Sequence, residues 1–412
     1  MIKGKLCEQV LVRIKQKVDE NYTSSRKKRL ALNPPAIICV GAGISADVNF
    51  EINKCRYLWN DLVYAVTEEA LYDHLTSEDY IQKHEKSIRS LDIQEYKNYV
   101  KNLIHQYGLN KKILDCANDM ECVEYCKSMM GFLSSDADEE WVETIIGYTI
   151  RDIFYSNCTS GINPRSIIES HRTQRGKHTL VELSEYIKWI NELGKKAVVI
   201  SYNYDDYLEE SLDILNVKYK VFTEEENENE QSHDMNIIYH VHGFIPFNEK
   251  HKDDKYKDKE ICGDLVFSEN SYNQMSDQIY RWSNRSQVSL LSKNPLLFIG
   301  FSASDINFRR LMHELNREKQ NTDNKRYIFV CYKGILDEAF RVELSKLPKK
   351  VHVGRKTLEK LIEDTVYFII QQKDEYFQKH LGAEVIWFYD ISEISSTLLK
   401  CCTGELLDLP VE

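Results

Sequence analysis

Short apolar runs alternate with helical periods along most of this chain. Residues 1–30 carry Leu6, Val10, Ile14 and Val18 at four-residue spacing, with basic residues between them, so one amphipathic helix is predicted, broken at Ser24–Arg29. Lys27 to Arg29 then read as a solvated turn. Pro34 and Pro35 introduce the apolar run Ala36–Val40, a buried strand that ends in Gly41-Ala42-Gly43-Ile44-Ser45-Ala46. From 56 to 172 the strand signature disappears: Ile93, Tyr96, Val100 and Leu103 recur at helical spacing, as do Trp141, Ile145 and Tyr148. This stretch is expected to be a helical insertion beside the sheet, with the acidic cluster Asp136–Glu140 starting its last long helix.

The β/α rhythm returns with a predicted helix over His178–Leu193 and a strand over Ala197–Ile200 that leads into Ser201-Tyr202-Asn203-Tyr204-Asp205-Asp206. A strand over Asn236–Val241 ends in His242-Gly243, beyond the acidic loop Glu224–Asp234. A short strand over Asp264–Phe267 follows. Pro295–Ile299 then runs into Gly300-Phe301-Ser302-Ala303-Ser304-Asp305, a second strand, glycine turn and helix junction. Strands at Tyr327–Cys331 and Val385–Phe388, with a helix over Leu358–Phe377, complete an α/β, Rossmann-like pattern with a mainly parallel sheet. The expected organisation is an N-terminal helix (1–30) and one α/β domain (31–412) interrupted by the insertion at 56–172.

Composition narrows the function classes. Lys plus Arg number 54 against 65 Asp plus Glu, a net charge of −11 that argues against a general nucleic-acid or anionic-membrane surface. The N-terminus lacks an apolar core of signal-peptide type and no apolar run has membrane-spanning length, so a soluble cytoplasmic protein is expected. Eleven cysteines without a Cys-x-x-Cys pair fit reduced thiols, and Cys122 and Cys126 read as core positions on one helix face, not metal ligands.

Gly41-x-Gly43-x-x-Ala46 fits the permissive dinucleotide fingerprint, with Gly41, Ala42, Gly43 and Ser45 as the candidate phosphate loop. A dehydrogenase would place an acidic ribose ligand about twenty residues further on. Asp61 has that spacing but falls in the helical insertion. Asn203 and Asp205 lie just beyond a strand's carboxyl end, where open α/β sheets bind ligands. His242 and His240 are competing bases, and the adjoining Gly243 favours His242.

In that order, the motifs at Gly41–Ser45, Ser201–Asp205, His242-Gly243 and Gly300–Asp305 resemble the sirtuin catalytic domain, and more closely its divergent bacterial branch of antiphage defence. His178 and the closing Gly382–Tyr389 run also look like family features. The resemblance implies NAD⁺ as substrate and no metal. Asn203 would contact the nicotinamide ribose and position a water, His242 would act as base, and Asp205 would shape the pocket. The amides around Gly43 and Ser45 would hold the pyrophosphate, with Gly243 beside the base. Gly300, Ser302 and Asp305 would line the adenosine side, with Phe301 of the same loop a further cofactor-binding candidate.

Protein deacylases of this family also carry a four-cysteine zinc module, which this chain lacks, and a Pro-Asp-Phe-Arg segment of which Ala46–Glu51 keeps only Phe50. Water is then the expected nucleophile, and NAD⁺ hydrolysis to ADP-ribose and nicotinamide the expected reaction. An NAD⁺-dependent deacylase or ADP-ribosyl transferase and a non-catalytic NAD-sensing scaffold are the alternatives. Control is expected from self-association through the N-terminal helix and the insertion, or from a partner in trans such as a ring ATPase or a nucleic-acid-guided sensor.

Overall fold

The computed structural model of the protein describes residues 2–83, 92–107, 119–131, 139–223, 234–252, 256, 259–268, 271–273, 281–293, 295–301, 303, 305–317, 325–346 and 355–407. Two helices, α1 (Ile2–Val18) and α2 (Ser24–Leu32), precede β1 (Ile37–Val40). Then come α3 (Ala46–Asn53), α4 (Trp59–Thr76), α5 (Glu78–Lys83), α6 (Ile93–Tyr107), α7 (Asp119–Gly131), α8 (Glu139–Tyr155), α9 (Pro164–His171) and α10 (Thr179–Glu192). The chain continues through β2 (Val198–Ser201), α11 (Tyr207–Ile214), β3 (Tyr219–Phe222), β4 (Asn236–His240), α12 (Trp282–Lys293), β5 (Leu296–Ile299) and α13 (Ile306–Arg317). It closes with β6 (Arg326–Cys331), α14 (Lys333–Lys346), α15 (Arg355–Leu381), β7 (Ala383–Phe388) and α16 (Ser392–Thr403).

The seven strands form one sheet in the order β3-β4-β2-β1-β5-β6-β7, and every pairing is parallel. Parallel strands must be covered on both faces, which is why their sequences are continuously apolar rather than alternating. In β1, Ile38 and Val40 join a core with α3, α4 and α7–α11, whereas Ile37 and Cys39 join a second core with α1 and α12–α15. The result is a three-layer α/β/α sandwich. The helices between 59 and 155 contribute Val63, Val66, Cys122, Cys126, Ile146 and Ile150 to the first of these cores. Among the described residues they share its hydrophobic interior.

Register decides what the sheet presents at its carboxyl edge. His240 is level with Ser201, Ser201 with Val40, and Val40 with Ile299, so four adjacent strands end in one row. Strand order reverses around β1, which makes this edge a topological switch point.

Several expectations from the sequence are corrected. Ser24–Arg29 is helix and not a turn: a π-helical turn over Asp19–Thr23 links α1 to α2, and Arg26 and Arg29 pair with Asp374 and Glu384. Asp264–Phe267 is not a strand; the Val266 amide donates to the His242 carbonyl, the Val266 carbonyl accepts from the Tyr204 hydroxyl and the Phe267 amide donates to the Ser271 hydroxyl. The edge strand β3 was not foreseen, because Tyr219-Lys220-Val221-Phe222 has too short an apolar pattern. Val10, Ile14 and Val18 are buried in the second core, as the apolar stripe of an amphipathic helix requires. Of the acidic loop 224–234 only Asp234 belongs to the described residues, and of the acidic cluster 136–140 only Glu139 and Glu140 do. Among the described residues, no helix is long and apolar enough to cross a membrane.

Candidate functional site

The loop after β1 lies directly on the loop after β5. The Gly41 amide donates to the Ile299 carbonyl (3.2 Å) and the Gly43 amide to the Gly300 carbonyl (3.0 Å). A Cβ at Gly43 would stand 2.8 Å from the Gly300 Cα, and one at Gly300, whose φ is +63°, 2.6 Å from the Ile44 nitrogen. That approach leaves no room for a Cβ, and the left-handed conformation at Gly300 favours glycine as well. The same packing moves the expected anion cradle: the Gly43 and Ser45 amides are held by the Gly300 and Ala42 carbonyls. The amides that a helix cannot satisfy internally are those of the first turn of α3, beginning at Ala46.

Ser45 joins this loop to the one after β2. Its hydroxyl donates to Asp205 Oδ1 (2.9 Å) and accepts from Asn203 Nδ2 (3.1 Å), which fixes the Asn203 amide with its Oδ1 buried and without a partner. Asp205 also accepts from the Tyr207 amide (3.2 Å). Burial nevertheless pushes its carboxyl up to about 7, against the pull of the Ser45 and Tyr207 bonds.

The two histidines after β4 part company because the strand stops at His240 and Gly243, at φ +95°, turns the chain. His240 is fully engaged, with Nδ1 3.0 Å from the Asn203 carbonyl and Nε2 2.8 Å from Glu209 Oε1. It holds the Asn203 backbone in place. His242 is different: its buried Nε2 has no hydrogen bond and lies 3.6 Å from Asp305 Oδ2, itself buried and in no closed hydrogen bond. The Tyr202 and Tyr272 rings meet this imidazole edge-on at 5.0 and 5.5 Å. Burial pushes His242 below its ordinary value; the Asp305 carboxylate opposes that shift and Arg281 adds to it. A neutral imidazole can accept a proton at neutral pH.

Gly41, Gly43, Ser45, Asn203, Asp205, His242, Gly243, Gly300, Phe301 and Asp305 thus lie along one edge, with Ala42 half-buried in the same loop. Phe301 packs on Tyr202 (4.7 Å) and Tyr202 on His242, which links the two ends of the row. Ser302 lies outside the described residues. Asp305, assigned by resemblance to the adenosine side, stands beside His242 instead. Tyr202, Tyr272 and Gln287, whose Oε1 accepts from the Tyr202 hydroxyl (2.5 Å), were missed by sequence reasoning. Adjacency to Asn203 could have pointed to Tyr202, but nothing local marks the other two.

His178 stacks flat on His171, with ring centroids 3.6 Å apart, and its Nδ1 lies 3.2 Å from Asp47 Oδ2. It packs α10 against α3. Cys122 and Cys126 are buried in the core, and Trp59 packs on Phe267 at 5.4 Å.

Among the described residues, one group of three side chains is spaced as metal ligands are, Asp206, Glu210 and His251. Its charges answer one another. His251 donates from Nδ1 to Asp206 (2.7 Å) and from Nε2 to Asp213 (3.1 Å), while Lys250 pairs with Asp213 and Arg165 with Glu210. Although burial acts the other way, the bonds to Asp206 and Asp213 carry His251 up to about 9. Because the folded value lies above the ordinary 6.5, this clasp stabilises the fold fully below pH 6.5 and is lost as pH rises through about 9. Its contribution is on the order of 3 kcal/mol. Urea denaturation at pH 6 and pH 10 should show a loss of stability that His251→Gln removes; an equal loss in the variant would refute the assignment.

No curated protein matches the chain. Residues 197–347 match the family model described as a SIR2-like domain. That span begins at β2 and ends beyond α14, and it includes Asn203, Asp205, His242, Gly300 and Asp305. Over residues 197–347 the chain is thus similar to a SIR2-like domain, which is consistent with the parallel sheet and supports a NAD-related function of the sirtuin type.

Proposed function

We propose that the chain is an NAD⁺ hydrolase that cleaves the nicotinamide–ribose bond to release ADP-ribose and nicotinamide. The observation that carries this reading is the buried Asn203 Oδ1, which has no partner, in one row with the buried His242 and the Asp305 side chain on loops at the carboxyl ends of β2, β4 and β5, within the span similar to a SIR2-like domain. Most buried polar groups are hydrogen-bonded, so one left open at the carboxyl edge of a parallel sheet calls for a partner, and a bound ligand supplies it. The bond to nicotinamide breaks with positive charge developing on the ribose, so orientation and electrostatics matter more than acid assistance to the leaving group. Asn203, anchored by Ser45 and by the His240 contact to its carbonyl, would hold the ribose and a water. His242, kept neutral by burial, would take the proton as that water attacks. The first-turn amides of α3 would face the pyrophosphate.

With water as nucleophile, the product set is independent of any protein substrate. Purified protein mixed with NAD⁺ should release nicotinamide and ADP-ribose in equal amounts, resolved chromatographically, with no added peptide. Turnover that requires an acylated peptide would favour a deacylase, and binding without turnover a sensing module. An NAD⁺-depleting activity fits an effector of bacterial antiphage defence by abortive infection, held in check by self-association or by a partner in trans. The surface of the helices between 59 and 155 exposes Ile93, Tyr99, Tyr125 and Tyr148 for such contacts.

A further inference from the structure

We propose that Asp305 is the positioning residue of His242: its Oδ2 receives the imidazole Nε2–H, which leaves Nδ1 as the basic nitrogen. This deepens the NAD⁺ hydrolase reading and rests on it for its kinetic consequences. Four observations carry it. His242 Nε2 and Asp305 Oδ2 are 3.6 Å apart, both buried and neither in a closed hydrogen bond, and the Tyr272 hydroxyl stands beside the same carboxylate. A small shift of either side chain closes a bond, and such pairs commonly tighten only when ligand binds. The carboxylate is aimed by its own backbone: Asp305 Oδ1 caps α13 by accepting from the Phe308 amide (2.6 Å), and the Asp305 carbonyl accepts from the Arg309 amide. The imidazole is held between the edge-on rings of Tyr202 and Tyr272. Finally, His240, two residues earlier, has both nitrogens occupied, so His242 is the histidine of the pair with a nitrogen left to be oriented.

The capping role and the positioning role separate cleanly. Asparagine caps a helix about as well as aspartate, so Asp305→Asn keeps α13 and removes the charge. The groups that face His242 are Asp305, which raises its proton affinity, Arg281, which lowers it, and the phenols of Tyr202 and Tyr272, which stay neutral. Loss of the carboxylate therefore lowers the proton affinity of His242 further.

The test uses two readouts on the full chain. In pH–rate profiles of NAD⁺ breakdown, Asp305→Asn should move the acidic limb down by about one unit and lower kcat about tenfold or more, with KM little changed. In ligand-free protein labelled with ¹⁵N-histidine, the His242 resonances, assigned by their loss in His242→Gln, should report an Nε2–H tautomer. They should also titrate at lower pH in Asp305→Asn. An unmoved limb in an active wild type, or an Nδ1–H tautomer with an unchanged titration, would overturn the proposal. If the wild type breaks no NAD⁺, the hydrolase reading fails, while the titration still decides whether the pair exists.

Discussion

His242→Ala is expected to lower NAD⁺ breakdown by about 10²–10⁴-fold, the usual worth of a positioned base, while the protein stays folded. The reason lies in what the side chain does not do. In the ligand-free fold its Nε2 closes no hydrogen bond, standing 3.6 Å from Asp305 Oδ2, and its ring meets those of Tyr202 and Tyr272 in edge-to-face contacts. His240→Ala should behave in the opposite way. That imidazole bonds Glu209 and the Asn203 carbonyl, so its loss leaves a buried carboxylate without its partner and should cost stability as well as activity. Nicotinamide release measured beside urea denaturation separates the two. A folded His242→Ala protein with undiminished turnover would remove His242 from the mechanism.

Asp374→Ala is expected to cost about 3–5 kcal/mol of stability without touching the site. Asp374 on α15 accepts both arms of the Arg26 guanidinium, the Trp387 indole N–H (3.2 Å) and the Gln378 amide (2.6 Å), and it is 3% exposed. Arg26 also donates to the Val385 carbonyl (2.7 Å), so this pair fastens α2 to β7 across most of the sequence. Removing one partner strands a buried charge, whereas removing both replaces the pair with packing. Chemical denaturation should show Arg26→Met/Asp374→Leu recovering most of the loss. A single-variant cost below about 1 kcal/mol would mean that water reaches the guanidinium.

Much of the architecture is legible in local pattern. The run Ala36–Val40 can only be a strand buried on both faces, and the same holds for Leu296–Ile299; such strands require helices on either side, hence an α/β sandwich. The glycines at 41, 43 and 300 are also readable as tight turns after strands. Local pattern fails where an element depends on a neighbour. Tyr219–Phe222 becomes a strand because β4 offers it an edge, and Asp264–Phe267 fails to become one because its backbone turns to the His242 carbonyl.

Read along the chain, the site is present only as a vocabulary: glycine turns, Asn203, His242 and Asp305 at strand ends, in an order that resembles a sirtuin domain. The tertiary structure decided their grammar. Sheet register brings the ends of β4, β2, β1 and β5 into one row, so Gly41 and Ile299, 258 positions apart, become hydrogen-bonded neighbours. Only that packing could show that the Gly43 and Ser45 amides are already bonded, that His240 is a support and His242 is not, and that Asp305 belongs beside the base. Hydrogen-bond saturation is a property of how elements meet, and no spacing along a chain encodes it.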